Sequence, residues 1–254
     1  MSAPPLTAIG TTSMPQRRAG FSLIEMLIVI AVIAIITAVA IPKFQSARLS
    51  ANEASALITI RALSQAQGQV TSRPSIDSNG DSVGEYGYFA ELAGYSVTRV
   101  DSGGMVGPGG PDSKLVPNAL LAALGNVQNG VVTYGGYMFQ VWLPDATVGN
   151  LTAGIPEDPG GGKLAAPFPD PQNGSVTWCA YGWPIVRGRS GMRCYFINEH
   201  GQILSYDNRG PVEYSGLGGR PNYDAALTVA GDMKSAMGIN GAPAVDGNNW
   251  VVVR

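Results

Sequence analysis

Charge is scarce in this chain. Asp, Glu, Lys and Arg make up 13% of its 254 residues, against about 25% in ordinary soluble domains. The formal net charge is -2 and no basic run occurs anywhere. A general nucleic-acid binder, which needs clustered Lys and Arg to meet phosphates, is therefore excluded. Histidine is nearly absent. His200 is the only one, and it sits in the turn-forming sequence Asn198-Glu199-His200-Gly201. A histidine-based metal cluster cannot be built from it, and a Ser-His-Asp triad has little to start from. Cysteine is limited to Cys179 and Cys194, too few for a metal site on their own. If the domain lies outside the cytoplasm, the two can pair. Phosphate loops are missing too. The Gly-rich stretches 103–110 and 215–219 lack the Gly-Lys-Ser/Thr ending.

What the chain does have is apolar residues, at 45%, together with 34 Gly and 18 Pro. This is the composition of a folded, loop-rich domain. The apolar residues are concentrated near the N-terminus. From Phe21 to Ile41 the sequence FSLIEMLIVIAVIAIITAVAI carries one charge, Glu25. At about 1.5 Å per residue, a helix of this length spans roughly 30 Å, the thickness of a bilayer core. Arg17 and Arg18 precede it, and positive flanks stay cytoplasmic, so the N-terminus is expected inside and the rest of the chain outside. A secretory signal peptide fits less well, because the run is long and no A-x-A-like site follows it. An acidic side chain in a span costs about 2.5–3.5 kcal/mol at the membrane centre and less near its end. Glu25 therefore either marks a functional site or snorkels to the headgroups.

The segment Arg17-Arg18-Ala19-Gly20-Phe21-Ser22-Leu23-Ile24-Glu25-Met26-Leu27 resembles the cleavage and methylation motif of type IV pilins and type II secretion pseudopilins. In that family a short basic leader ends in Gly, the next residue is usually Phe, and a Glu lies four residues beyond it. The resemblance is strong over residues 17–67 and weak elsewhere. It implies that a membrane-embedded prepilin peptidase cuts between Gly20 and Phe21 and N-methylates Phe21, and that Glu25 serves assembly. It also places Pro42 where many pilins carry a helix-breaking proline. Arg48 to Ala54 and Tyr86 to Leu92 further resemble a large-headed pilin-like group. The chemistry of the motif is consistent with these roles. Gly20 leaves the scissile bond unhindered. Cutting there frees an α-amine that is mostly charged near neutral pH. Glu25 lies four residues on, about 6 Å along the same helix face, so an axial offset of one turn sets one subunit's Glu25 beside a neighbour's amine.

The implied organisation is a leader over 1–20, a transmembrane helix over 21–41, an amphipathic helix over 42–70 and a globular head over 71–254. The helical pattern beyond Pro42 rests on Phe44, Ala47, Ala51, Ala54 and Ile58, with Leu57 and Leu63 widening the stripe. A helix over 21–69 would be roughly 75 Å long, with Pro42 kinking or locally melting it. In the head, 131–143 has the alternation of a strand or hairpin. Strands are also expected over 176–186 and 192–197 around the turn at 188–191, and over 202–206. Residues 118–124 suggest a short helix, 154–174 a surface loop, and 250–253 a last strand. The fold class is α+β: a pilin-like long N-terminal helix packed on an antiparallel sheet.

Cys179 and Cys194 lie on neighbouring predicted strands. A disulfide between them would stabilise by roughly 3 kcal/mol, but simple hairpin register does not set them opposite each other, and two buried free thiols are the alternative. Asp77-Ser78-Asn79-Gly80-Asp81-Ser82-Val83-Gly84-Glu85 puts oxygen ligands at alternate positions. Asp77, Asn79, Asp81, Glu85 and the Val83 carbonyl form a candidate calcium set, the alternative being a solvated turn. Ser82 and Tyr88 stand where an EF-hand needs Gly and Glu. No motif for an enzyme is present, and no cofactor other than this calcium is expected.

The expected function is that of a pilus or pseudopilus filament subunit. Its partners would be prepilin peptidase, other pilin subunits and the inner membrane. It would reside in that membrane with its head periplasmic, then in a filament. A membrane-anchored extracytoplasmic binding module that does not polymerise is the alternative, and an anchored hydrolase is a third.

Overall fold

The computed structural model describes residues 20–239 and 241–253. The chain divides into two compact units, one ending at Phe44 and one beginning at Gln45. The first unit is the start of helix α1, which runs over Leu23–Ser72 with Pro42 inside it. All residues from Phe21 to Ile41 are exposed. Among the described residues, α1 is the one helix long and apolar enough to cross a membrane.

The second unit takes the rest of α1 as one layer of its core. Ala56, Thr59, Ile60, Leu63, Ala66, Gln67 and Val70 are buried along one stripe. Of the stripe expected from the sequence, Leu63 is buried and Leu57 packs partly against the core, but the rest lies on another face: Phe44 is 72% exposed and Ile58 64%, and Ala47, Ala51 and Ala54 are exposed as well. Three- to four-residue spacing was present on both faces. The face with the larger aliphatic side chains, each worth about 1.5–3 kcal/mol on burial, is the one that packs. The end of α1 falls at Ser72, just before Arg73-Pro74, where the proline restricts the residue ahead of it.

The sheet orders its strands β10-β9-β8-β7-β5-β4-β3, with β6 also on β5. The strands are β3 (Val127–Gln128), β4 (Val131–Tyr134), β5 (Tyr137–Val148), β6 (Leu151–Pro156), β7 (Cys179–Pro184), β8 (Cys194–Asn198), β9 (Leu204–Tyr206) and β10 (Val251–Val252). Every pairing is antiparallel. Two further strands, β1 (Arg99–Asp101) and β2 (Val106–Pro108), form a separate ribbon. The remaining helices are single turns: α2 (Phe89–Leu92), α3 (Pro171–Gly174) and a 3-10 turn at Ala122–Gly125 where a short helix was expected. The hairpin read in 131–143 is β4–β5. Its two-residue turn is Gly135-Gly136, with φ of 57° and 82°, the left-handed pair that matches strand twist and that glycine adopts without strain. The loop expected over 154–174 instead begins with the end of β6 and closes with α3.

Strand alternation divides the side chains between two apolar clusters. Tyr137, Phe139, Val141, Leu143, Ala180, Tyr195 and Ile197 face the α1 side. Trp142, Cys179, Tyr181, Trp183, Cys194, Phe196, Leu204 and Tyr206 face the other, where Tyr214, Ala225, Ala226, Leu227, Met233, Ala244 and Trp250 cover them. That covering layer comes from the irregular chain between β9 and β10. The architecture is α+β with a pilin-like layout, and the sheet is buried on both faces.

Candidate functional site

Gly20 and Phe21 precede the first helical residue, Leu23, and both are exposed. A Cβ built on Gly20 would meet nothing within 4 Å, so the bond that follows is open to approach. Met26 N–H donates to Ser22 O at 3.2 Å, which begins the helix one residue past Phe21. Glu25 lies in the first turn of α1, where the unpaired amides at a helix N-terminus favour a negative charge. Beyond it every residue to Ile41 is exposed, and none of them is charged. Gly20, Phe21 and Glu25 therefore sit together at the head of a bare apolar helix. Arg17 and Arg18 lie outside the described residues.

Residues 15–41 match a family described as the prokaryotic N-terminal methylation motif. The chain carries the N-terminal signature of type IV pilins and pseudopilins. The match and the apolar helix are those of a membrane-anchored pilin-like precursor. No curated protein and no solved structure matches the chain. The signature thus accounts for the N-terminus, and the head has to be read from its own geometry.

Pro42 lies within α1, which continues through it. Cys179 and Cys194 are free and buried, so the candidate disulfide is replaced by two buried thiols. The strand register gives the reason. Cys179 pairs with Asn198 and Cys194 with Tyr206, while Gly182 stands opposite Tyr195. The two cysteines are therefore offset by about four residues along adjacent strands, roughly 13 Å at 3.3 Å per residue, beyond the Cα separation of about 7 Å that a disulfide tolerates. Burial pushes both thiols well above their usual range.

Of the five candidate calcium ligands, the side chains of Asp77, Asn79 and Asp81 are engaged within the turn itself. Asp77 accepts the amides of Gly80, Asp81 and Ser82. Asp81 accepts Val83 N–H and the Asn79 side-chain amide. Their oxygens shape the turn itself, as Asp and Asn do. Glu85 turns inward and is 1% exposed, with Ser78 N–H and Oγ donating to Oε1 at 2.6 Å and Arg99 on Oε2 at 3.1 Å. A guanidinium at that distance repels a cation. Among the described residues no group of three or more His, Cys, Asp or Glu side chains is placed to hold a metal.

The head also contains an ionic cluster that the sequence did not signal. Arg99 is 0% exposed. It donates from Nε to Glu91, from Nη1 to Glu85 and from Nη2 to Tyr86 O, and it lies over the Tyr88 ring. Glu91 also accepts Tyr88 N–H, capping α2. Gln67 joins α1 to this region: Nε2 donates to Gly87 O and Oε1 accepts Gly87 N–H, each at 2.8 Å. Burial pushes the Glu85 carboxyl above its ordinary value despite the opposing pull of Arg99. Glu85, Glu91 and Arg99 fit no spacing motif.

Proposed function

We propose that the chain is a structural subunit of a type IV pilus or secretion pseudopilus. It is made as a precursor held in the inner membrane, with its N-terminus cytoplasmic and its head periplasmic. Prepilin peptidase cuts between Gly20 and Phe21 and methylates the new amine, and the subunit then joins other pilin subunits through α1. One observation carries this reading: the methylation motif leads directly into an exposed apolar stretch of α1 whose single charge as far as Ile41 is Glu25.

The chemistry of assembly follows from that arrangement. Processing converts the Gly20–Phe21 amide into a cationic amine next to a helix that water does not solvate. A buried amine and a buried carboxylate each need a partner. Glu25, one turn along the same face, supplies the partner to the amine of a neighbouring subunit offset by about 6 Å. This fixes axial register and leaves the rest of the contact to apolar packing.

Mass spectrometry of the mature N-terminus tests the processing step. N-methyl-Phe21 is expected. An intact Met1, or a cut after Ala40, would instead favour a plain anchor or a signal peptide. Glu25→Leu separates assembly from processing. The variant should insert and be cut as wild type but give few filaments, and filaments at normal yield would refute the register role.

A further inference from the structure

Glu157, in the turn that follows β6, is 3% exposed and bonded on one side only. Its Oε1 accepts two backbone amides at 2.8 Å, Ala90 N–H in α2 and Gly162 N–H in the loop beyond β6. Its Oε2 is buried and has no partner. Glu157 therefore ties its own loop to Ala90, 67 residues earlier in the chain, through a single oxygen. The loop it holds folds back on itself: Gly161 N–H and Asp158 O bond at 2.9 Å, as do Asp158 N–H and Gly162 O. Gly161, Gly162 and Lys163 are buried as a result. Ala90, Gly160, Gly161 and Leu164 also form part of the wall of a surface groove of about 300 Å3 shared with Tyr95 and Lys114.

The charges around Glu157 come from every side of its seat. From α2 and the residue ahead of it come Glu91 and Tyr88. From β1 comes Arg99, already engaged by Glu91 and by Glu85 behind it. From its own loop come Asp158 and Lys163, which pair with each other at 2.5 Å. Among the described residues, no cation bonds Glu157. Burial opposes Asp158 ionisation too, but the Lys163 hydrogen bond and the Leu164 and Ala165 amides outweigh it and hold that carboxyl below its usual range. For Glu157, burial, with the Glu91 charge adding to it, outweighs the Gly162 and Ala90 amides and a weaker pull from the Phe89 amide, and pushes its carboxyl up to about 8. As a neutral acid, Glu157 fits this seat. As an anion, it places an unpaired charge in the core, which is far more costly than an unpaired neutral group. The anion can recover solvation only by leaving Ala90 and Gly162.

We propose that Glu157 is a pH-sensitive latch: protonated, it pins the loop from Asp158 to Leu164 against α2, and ionisation releases that loop and the groove wall it forms. Lys163 provides the readout. It is 6% exposed in the closed loop and becomes a tryptic site when the loop opens. Arg209 is exposed throughout and serves as an internal reference that cancels the protease's own pH dependence. The full chain in detergent is cleaved briefly at pH 6, 7, 8 and 9, and peptides ending at Lys163 and Arg209 are quantified. The ionised share of a group titrating near 8 rises about tenfold between pH 7 and 9. The Lys163-to-Arg209 ratio in wild type should rise by about the same factor. In Glu157→Gln, which keeps an acceptor oxygen and cannot ionise, the ratio should not change with pH, whatever its level. A flat wild-type ratio, or an equal rise in Glu157→Gln, would overturn the latch.

Discussion

Replacing Arg99 with methionine probes the energetics of the head most directly. The substitution keeps an unbranched stem over Tyr88 and removes all three of the cation's hydrogen bonds. Glu85 Oε2, Glu91 Oε1 and Tyr86 O lose their donors inside the core. Breaking a buried ion pair by removing one partner costs about 3–5 kcal/mol, out of about 5–15 kcal/mol for a whole domain. At a urea slope near the upper end of 1–3 kcal/mol/M, the midpoint should fall by roughly 1–1.7 M. The four tryptophans, at 142, 178, 183 and 250, all lie in the second unit and are buried, so intrinsic fluorescence of the full chain in detergent reports on the head alone. The loss should also depend on pH. The Glu85 carboxyl is already raised by burial, and without Arg99 it rises further. A carboxyl raised in the folded state favours folding at low pH, and that advantage fades as pH climbs above its unfolded value near 4.5. The deficit of Arg99→Met should therefore be smallest near pH 5 and grow toward pH 7. Neutralising the orphaned acids with Glu85→Gln and Glu91→Gln should recover at least half of it at pH 7. A deficit below about 1 kcal/mol, or one that widens as pH falls, would refute a cluster held together by charge.

Other consequences are simpler to check. Gln67→Leu removes both bonds to Gly87 and leaves a buried N–H and C=O unpaired, so it should cost about 2–6 kcal/mol in the same urea assay, at about 1–3 kcal/mol per orphaned group. A thiol reagent should find no reactive cysteine in the native chain and two after unfolding without reductant; finding none after unfolding would mean that Cys179 and Cys194 are bonded after all. Millimolar calcium should leave the melting temperature of the head unchanged, because Asp77 and Asp81 already bond backbone amides and Glu85 faces Arg99; an increase of several degrees would require the 77–85 turn to rearrange around the ion.

The N-terminal site was legible because its chemistry is linear. Gly20, Phe21 and Glu25 lie within six residues, and a run of apolar residues long enough for a bilayer needs no tertiary context. The β4–β5 hairpin and the β7–β8 pair were legible for a related reason: Gly135-Gly136 and the glycines at 188 and 191 mark turns that local backbone geometry demands. The helix face was read correctly only at Leu57 and Leu63, because alanine-rich spacing occurs on two sides of α1, and only the sheet determines which side is inside. The calcium set was ambiguous because alternate oxygens serve a self-capping turn as well as a cation, and the bonds that favour the turn depend in part on Arg99, fourteen residues from Glu85. The buried network of Arg99, Glu85 and Glu91 and the separate seat of Glu157 could not be read at all. Their members are united by packing between segments far apart in sequence.

The sheet's second face is covered by chain that is almost entirely irregular. Between Tyr206 and Val251 the backbone is held by turns and by side-chain bonds such as Asn208 to Tyr214 and Asp246 to Tyr214, Asn248 and Trp250. Only a few anchors, among them Leu227, Met233 and Trp250, must reach the strands. The stretches between anchors are free to drift in sequence and length, since no repeat of three or two residues constrains them. A head built this way can renew the outer surface it presents while its sheet and helix stay fixed, so divergence between related chains should concentrate in this layer.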